Sequence, residues 1–119
     1  MKILVCEDNK LASRAVSAVL SKKGFDIINA SDGNEAMELI EKEDFSLVIM
    51  DIHLPYYSGL ELIRYMKTDL KKDIPVIIIS AFSDPSVQKQ SRELGISEYL
   101  VKPINTEFLL SRINAILKI

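Results

Sequence analysis

The sequence predicts a doubly wound α/β fold, a three-layer αβα arrangement with a parallel sheet in the middle. Three observations lead there. Five short aliphatic runs alternate strictly with five longer segments of helical periodicity along the 119 residues. The runs are too short for helices and rich in β-branched residues, as strands buried on both faces are. Strict alternation requires crossovers, and right-handed crossovers place helices on both faces of a parallel sheet.

The first strand is residues 2–6, and it runs straight into Glu7-Asp8-Asn9. A helix follows from about Lys10 to Lys23. Leu11, Ala12, Ala15, Val16, Val19 and Leu20 give it one apolar face, and Gly24 stops it. The second strand is residues 26–29. The second helix spans about 32–42, with Ala36, Met37, Leu39 and Ile40 inward. The third strand, Leu47-Val48-Ile49-Met50, is wholly apolar and ends in Asp51. A loop of His53-Leu54-Pro55 and Ser58-Gly59 follows. Ser58 and Glu61 fit a capping box for the third helix, which turns Leu60, Leu62, Ile63 and Met66 inward.

The fourth strand is residues 75–79, ending in Ser80. Asp84-Pro85 reads as an N-cap with Pro at the first helical position. The fourth helix runs to Leu94, with Gly95 as its stop. Val87 and Leu94 are its only strong apolar members, so it is weakly anchored and a candidate moving part. The fifth strand is residues 98–101, ending in Lys102-Pro103. The last helix runs from Thr106 to about Lys118, with Phe108, Leu109, Ile113, Ile116 and Leu117 inward. There is no linker, repeat or low-complexity segment, so residues 1–119 read as one domain.

Composition excludes several classes of function. A net charge of -2 leaves no electrostatic footprint for nucleic acid. No apolar run approaches a membrane span, and the start of the chain reaches charge too early for a signal peptide. Cys6 is the only cysteine, so no intrachain disulfide forms. That agrees with a reducing cytoplasm, the expected location. Cys6 itself reads as a buried apolar residue.

The chemistry gathers at the strand ends. Glu7 and Asp8 end the first strand, Asp51 the third, Ser80 the fourth and Lys102 the fifth. In a parallel sheet these ends share one edge, where ligands of open α/β sheets bind. With strand order 2-1-3-4-5, the first and third strands are neighbours at the topological switch point. Three carboxylates then meet in one crevice. They do not all stay ionised unaided, and one Lys does not neutralise them. A hard divalent cation, Mg²⁺ or Mn²⁺, suits such oxygen ligands. No His/Cys cluster offers a zinc site, and no glycine-rich nucleotide loop occurs.

The acidic pair Glu7-Asp8, Asp51 after its aliphatic strand, Pro55 and Gly59, Ser80-Ala81, and Tyr99-Leu100-Val101-Lys102-Pro103 fall in order at strand ends. In this the chain resembles the receiver domains of two-component response regulators, over essentially its full length. The resemblance implies a flavodoxin-like (βα)5 fold and a phosphorylation-dependent signalling module. Asp51 is similar to the phospho-accepting aspartate, which takes a phosphoryl group from a histidine kinase or histidine phosphotransfer protein. Asp8, Asp51 and the His53 carbonyl are implied as cation ligands, with Glu7 acting through water. Lys102, Ser80 and the Ala81 N–H are implied to hold phosphoryl oxygens. The Lys102-Pro103 bond is implied to be cis. Such a chain is a regulator that catalyses its own phosphorylation and slow dephosphorylation, rather than an enzyme with turnover.

Three positions depart from the commonest pattern of that family. The acidic pair is Glu-Asp, position 80 is Ser rather than Thr, and the loop carries Tyr56-Tyr57, read as two exposed aromatics. His53 and Phe82 lie two residues beyond Asp51 and Ser80, and are expected to restrict the water that hydrolyses an acyl phosphate. Ser80 and Tyr99 are implied as a switch. When phosphate draws the Ser80 hydroxyl toward it, Tyr99 turns inward and the face of helix 4, strand 5 and helix 5 changes for a downstream partner. The second helix is expected to stay quiet.

Other readings compete. The same chemistry fits a receiver cut from a hybrid histidine kinase or multidomain regulator. A flavodoxin-like cofactor binder needs a hydroxyl-rich phosphate loop where this chain has Glu7-Asp8. A Mg²⁺-dependent aspartyl-phosphate hydrolase wants a second Asp two residues past the nucleophile, where this chain has His53.

Overall fold

A computed structural model describes residues 1–119. The strands are β1 (Lys2–Cys6), β2 (Asp26–Ala30), β3 (Leu47–Asp51), β4 (Val76–Ser80) and β5 (Glu98–Val101). The helices are α1 (Lys10–Lys22), α2 (Gly33–Lys42), α3 (Gly59–Arg64), α4 (Pro85–Glu93) and α5 (Thr106–Leu117). All strand pairs are parallel, in the order β2-β1-β3-β4-β5. The expected sheet and its order are therefore correct.

Alternation along each strand splits the core in two. Leu4, Cys6, Val48, Met50 and Ile78 face one way and pack with Ala36, Ile40, Leu62, Ile63 and Met66 of the α2 and α3 side. Ile3, Val5, Leu47, Ile49, Ile77 and Ile79 face the other way, onto Val16 and Leu20 of α1 and Leu109 and Ile113 of α5. Every residue of β3 and β4 is buried. That explains why both are apolar up to their last residues, Asp51 and Ser80, because neither face offers water to a polar side chain.

The helix boundaries follow local chemistry. Asn9, Asp32, Ser58, Asp84 and Asn105 each cap a helix with a side-chain oxygen. Gly24 and Gly95 stand at φ +91° and +86° after α1 and α4, a conformation that costs a side chain dearly. Only the Ser58 half of the expected capping box forms, with Glu61 N–H donating to Ser58 Oγ at 3.2 Å. α3 continues into a π turn over Tyr65–Asp69, closed by Leu70 N–H on Tyr65 O at 3.0 Å. The Lys102–Pro103 peptide is cis.

Three inward assignments need correction. Leu11 is 77% exposed and Phe108 is 52% exposed, and Ala15 also faces out. Periodicity gives the direction of a helix face, whereas the width actually covered depends on the neighbouring element. The tyrosine pair also divides. Tyr56 is exposed, with φ +75°, but Tyr57 is half-buried and packs against the α2 and α3 side of the core. α4 is as thinly anchored as its sequence suggests. Val87 and Leu94 are half-buried, and the only buried residue is Ser91, whose hydroxyl donates to Val87 O at 2.8 Å. Cys6 is fully buried and its thiol is pushed up by desolvation, so it is chemically quiet.

Candidate functional site

The carboxyl ends of β1, β3, β4 and β5 bring the charged residues to one edge. Cys6 pairs with Met50, so Glu7 and Asp51 come level where two neighbouring strands end. Ser80 pairs with Val101, which sets Lys102 just beyond the end of β4. Carboxylate oxygens of Glu7, Asp8 and Asp51 lie within 4.8 Å of one another.

Asp51 is 4% exposed. Its Oδ1 accepts from the His53 N–H at 3.0 Å, and its Oδ2 accepts from Lys102 Nζ at 2.8 Å. Glu7 is 2% exposed, and its Oε2 accepts from Asn9 N–H at 3.2 Å. Its Oε1 lies 2.8 Å from Lys102 Nζ, a charge-assisted contact with the same ammonium that holds Asp51. Asp8 is exposed. Burial raises the Glu7 carboxyl above the ordinary range, and the Asp51 carboxylate adds to this against the pull of Lys102. Burial opposes the charge of Lys102, but its contacts with Asp51 and Glu7 outweigh that and raise it. One ammonium thus serves two buried carboxylates, with a third at the surface.

That imbalance tests whether a divalent cation fits. The donors are all oxygen, a set suited to Mg²⁺ rather than zinc. The buried Glu7 and Asp51 carboxylates share one ammonium, so their oxygens keep acceptor capacity that a cation would use. The cluster therefore fits such a cation, with Asp8 at the solvent side and Asp51 inside.

The remaining predicted residues meet at the loop after β4. Ser80 is fully buried, and its Oγ accepts from the Phe82 N–H at 3.0 Å rather than bonding Asp51. The Phe82 carbonyl in turn accepts from Tyr99 Oη–H at 2.8 Å. The peptide groups of Phe82 thus join Ser80 to Tyr99. The Tyr99 ring is half-buried and packs on the core, with its hydroxyl engaged by the loop. The Phe82 ring meets the His53 ring edge-on, with centroids 4.6 Å apart and planes at 64°. These two rings belong to the loops on either side of Asp51. Ala81 is exposed beside them.

Sequence reasoning missed two parts. Asn9 both caps α1 and donates to Glu7. Gly33 donates its N–H to Pro55 O at 2.8 Å, tying α2 to the loop after Asp51. For Gly33 the available signal was a glycine in a helix's first turn, where alanine forms helix better.

Comparison with known proteins agrees with this geometry. The family model described as the response regulator receiver domain matches residues 3–114. Response regulator RR06 of Streptococcus pneumoniae is 32% identical over 118 residues, covering 99% of this chain and 54% of that protein. Hybrid signal transduction histidine kinase I of Dictyostelium discoideum is 33% identical, covering 95% of this chain and 7% of the kinase. The solved receiver domain of Francisella response regulator 1452 superposes with a TM-score of 0.91 at 29% identity, covering 98% of this chain and 96% of the other. The chain thus spans about half the length of the curated regulator and a small fraction of the kinase.

Proposed function

The chain belongs to the response regulator receiver domains, a signalling family phosphorylated by histidine kinases, and on that premise we propose that Asp51 is the phosphoryl acceptor. A carboxylate oxygen of Asp51 attacks the phosphorus of a phosphohistidine on a kinase or phosphotransfer protein. The P–N bond breaks, a P–O bond forms, and the imidazole leaves with a proton. The observation that carries this reading is Asp51 itself, buried at the end of the central strand with one oxygen on Lys102 and the other on a backbone N–H.

Positioning and charge neutralisation do the work, as in other phosphoryl transfers. Asp8, Asp51 and the His53 carbonyl would hold Mg²⁺ (or Mn²⁺), with Glu7 acting through water. When bound, that cation supplies the charge that offsets the incoming phosphoryl oxygens. Lys102 already reaches Asp51 and Glu7, and takes a phosphoryl oxygen once the acyl phosphate forms. Ser80 keeps its hydroxyl proton free to donate, because it only accepts from Phe82. The Ala81 N–H is the further donor. His53 and Phe82 form an aromatic pair over the loops and restrict the in-line water, which makes a long-lived phosphoprotein. The face of α4, β5 and α5 then reports the state to a downstream protein.

The test is incubation with Mg²⁺ and a small phosphodonor, followed by intact mass. One hydroxylamine-labile phosphoryl group on the wild type, and none on Asp51→Asn, is the expected result. Labelling of Asp51→Asn at the normal rate overturns the assignment. We read residues 1–119 as one receiver unit, working in the cytoplasm. The match to a hybrid kinase supports a second reading of placement, the same unit within a longer signalling protein. Sequencing the surrounding gene separates the two.

A further inference from the structure

The start of α2 is built against the loop that follows Asp51. Asp32 Oδ1 accepts from Glu35 N–H at 2.8 Å, and Glu35 Oε1 accepts from Ser31 N–H at 3.1 Å. These two bonds, one from the third helical residue to the Asp32 cap and one from the residue before the cap to Glu35, fix where the first turn points. A first-turn N–H has no partner within its own helix. That of Gly33 donates to Pro55 O at 2.8 Å, a carbonyl it shares with Tyr57 N–H at 3.0 Å.

The approach leaves no room for a side chain. A Cβ on Gly33 would lie 2.7 Å from Tyr57 N, 2.8 Å from Tyr57 Cβ and 2.9 Å from Pro55 O. None of these atoms swings aside by rotating a side chain. Gly33 is not among the residues with positive φ, so the glycine is there for space and not for backbone conformation. The loop has a second pin at Gly59, whose N–H donates to Ile52 O at 2.8 Å. A Cβ there would meet Asp51 O at 2.6 Å. His53 lies between the two pins, with its N–H on Asp51 Oδ1.

We propose that Gly33 is a positioning residue for the cation site. By admitting the Pro55 carbonyl to the start of α2, it sets the His53 carbonyl relative to Asp51 and Asp8. This rests on the reading of those groups as cation ligands. It also ties the first turn of α2 to the acceptor loop, where the sequence leaves the second helix quiet.

Mg²⁺ demands near-octahedral ligands at short distances, whereas Ca²⁺ accepts longer and more variable ones. A loop pushed aside by a new Cβ therefore costs Mg²⁺ more than Ca²⁺. A change in global stability alone has no reason to alter their ratio. The experiment titrates Mg²⁺ and Ca²⁺ separately into wild type, Gly33→Ala and Gly24→Ala, following amide shifts in ¹⁵N spectra. Gly24 is the control, since it is strained at φ +91° with nothing within 4 Å of its added Cβ. Gly33→Ala is expected to weaken Mg²⁺ binding by about tenfold or more, the usual cost of disturbing a group that orients a ligand, and Ca²⁺ binding by clearly less. Gly24→Ala is expected to lower the denaturant midpoint and leave both affinities unchanged.

A folded Gly33→Ala protein with the wild-type ratio overturns the inference while leaving the cation site standing. A wild type that binds neither cation overturns both. If Gly33→Ala does not fold, the wild type decides. Its Gly33 amide must shift on Mg²⁺ addition, and a stationary Gly33 resonance in a protein that binds Mg²⁺ refutes the coupling.

Discussion

Replacing Asp8 by Asn should stabilise the metal-free protein and destabilise the metal-loaded one relative to wild type. The carboxylate oxygens of Asp8, Glu7 and Asp51 lie within 4.8 Å of one another. At that separation one pair of like charges repels by about 0.9 kcal/mol in a water-like dielectric, and by about 3.5 kcal/mol at an effective dielectric near 20. Asp8 is exposed and its partners are buried, so the lower figure is the better guide. Two repulsions total about 2 kcal/mol, and attraction to Lys102 offsets part of them. Relief should therefore come to about 1 kcal/mol, a rise in Tm of about 3–6 °C for a chain this size. With Mg²⁺ at about one hundred times Kd, the wild type gains about 2.7 kcal/mol by mass action. Asp8→Asn, lacking the carboxylate proposed as a direct ligand, should gain little, so the order of the two melting curves should invert. Denaturant and thermal melts in chelator and in excess Mg²⁺ measure all four states. A lower midpoint for Asp8→Asn than for wild type in chelator would refute the repulsive cluster.

Phe82→Ala opens the aromatic pair with His53, and should shorten the lifetime of the phosphorylated protein by about tenfold, roughly 1.4 kcal/mol of barrier. Unchanged decay of label removes the pair from that role. Tyr99→Phe deletes the hydroxyl that holds the Phe82 carbonyl, costing about 1 kcal/mol of stability. It should also shrink the α4 chemical-shift changes produced by a beryllofluoride mimic, while Asp51 still labels; full-sized changes count against the link. pH supplies a further check in chelator. Glu7 is raised in the folded state, so the folded chain keeps a proton that the unfolded chain loses near pH ~4.3. Its contribution to stability falls as pH rises from there through the folded value, and the wild type should lose stability relative to Glu7→Gln over that window. Lys102 is also raised, so its contribution persists at lower pH and is lost only as pH rises through its folded value, above about 10.4.

The fold was legible because its strands leave little choice. A strand buried on both faces favours apolar residues, so β3 and β4 announce themselves as apolar runs up to the Asp51 and Ser80 that end them. The site was legible for a topological reason. Parallel strands deliver their last residues to one edge, so Glu7, Asp51, Ser80 and Lys102 converge whatever the loops do. Helix faces were less secure. Leu11 and Phe108 sit at helical spacing with core residues, yet no neighbouring element reaches far enough to cover them. Tyr57 erred the other way, because its burial depends on α2 closing over the loop at Gly33. Such facts depend on how two distant segments meet, and neither segment carries them alone.

The contacts around Phe82 are least legible, and they alter how the switch should be understood. Sequence suggests that Ser80 vacates space and Tyr99 fills it. Here both residues bond main-chain groups of Phe82, Ser80 Oγ accepting from its N–H and Tyr99 donating to its carbonyl. Any residue supplies those groups, so position 82 carries no sign of them. A hydroxyl has two lone pairs and one proton. Ser80 can hold Phe82 and still donate to a phosphoryl oxygen. On the proposed switch, a phosphoryl group that draws Ser80 toward Asp51 would pull the Phe82 backbone with it, and Tyr99 would follow through the carbonyl it holds. α4 begins at Pro85, just after Phe82, and only Ser91 of that helix is buried. The element with least to hold it thus follows directly after that peptide in the chain. On the proposed switch, one charge-assisted hydrogen bond from Ser80, about 1.5–3 kcal/mol, would supply a substantial part of the roughly 5.5 kcal/mol that carries a two-state element from mostly one position to mostly the other.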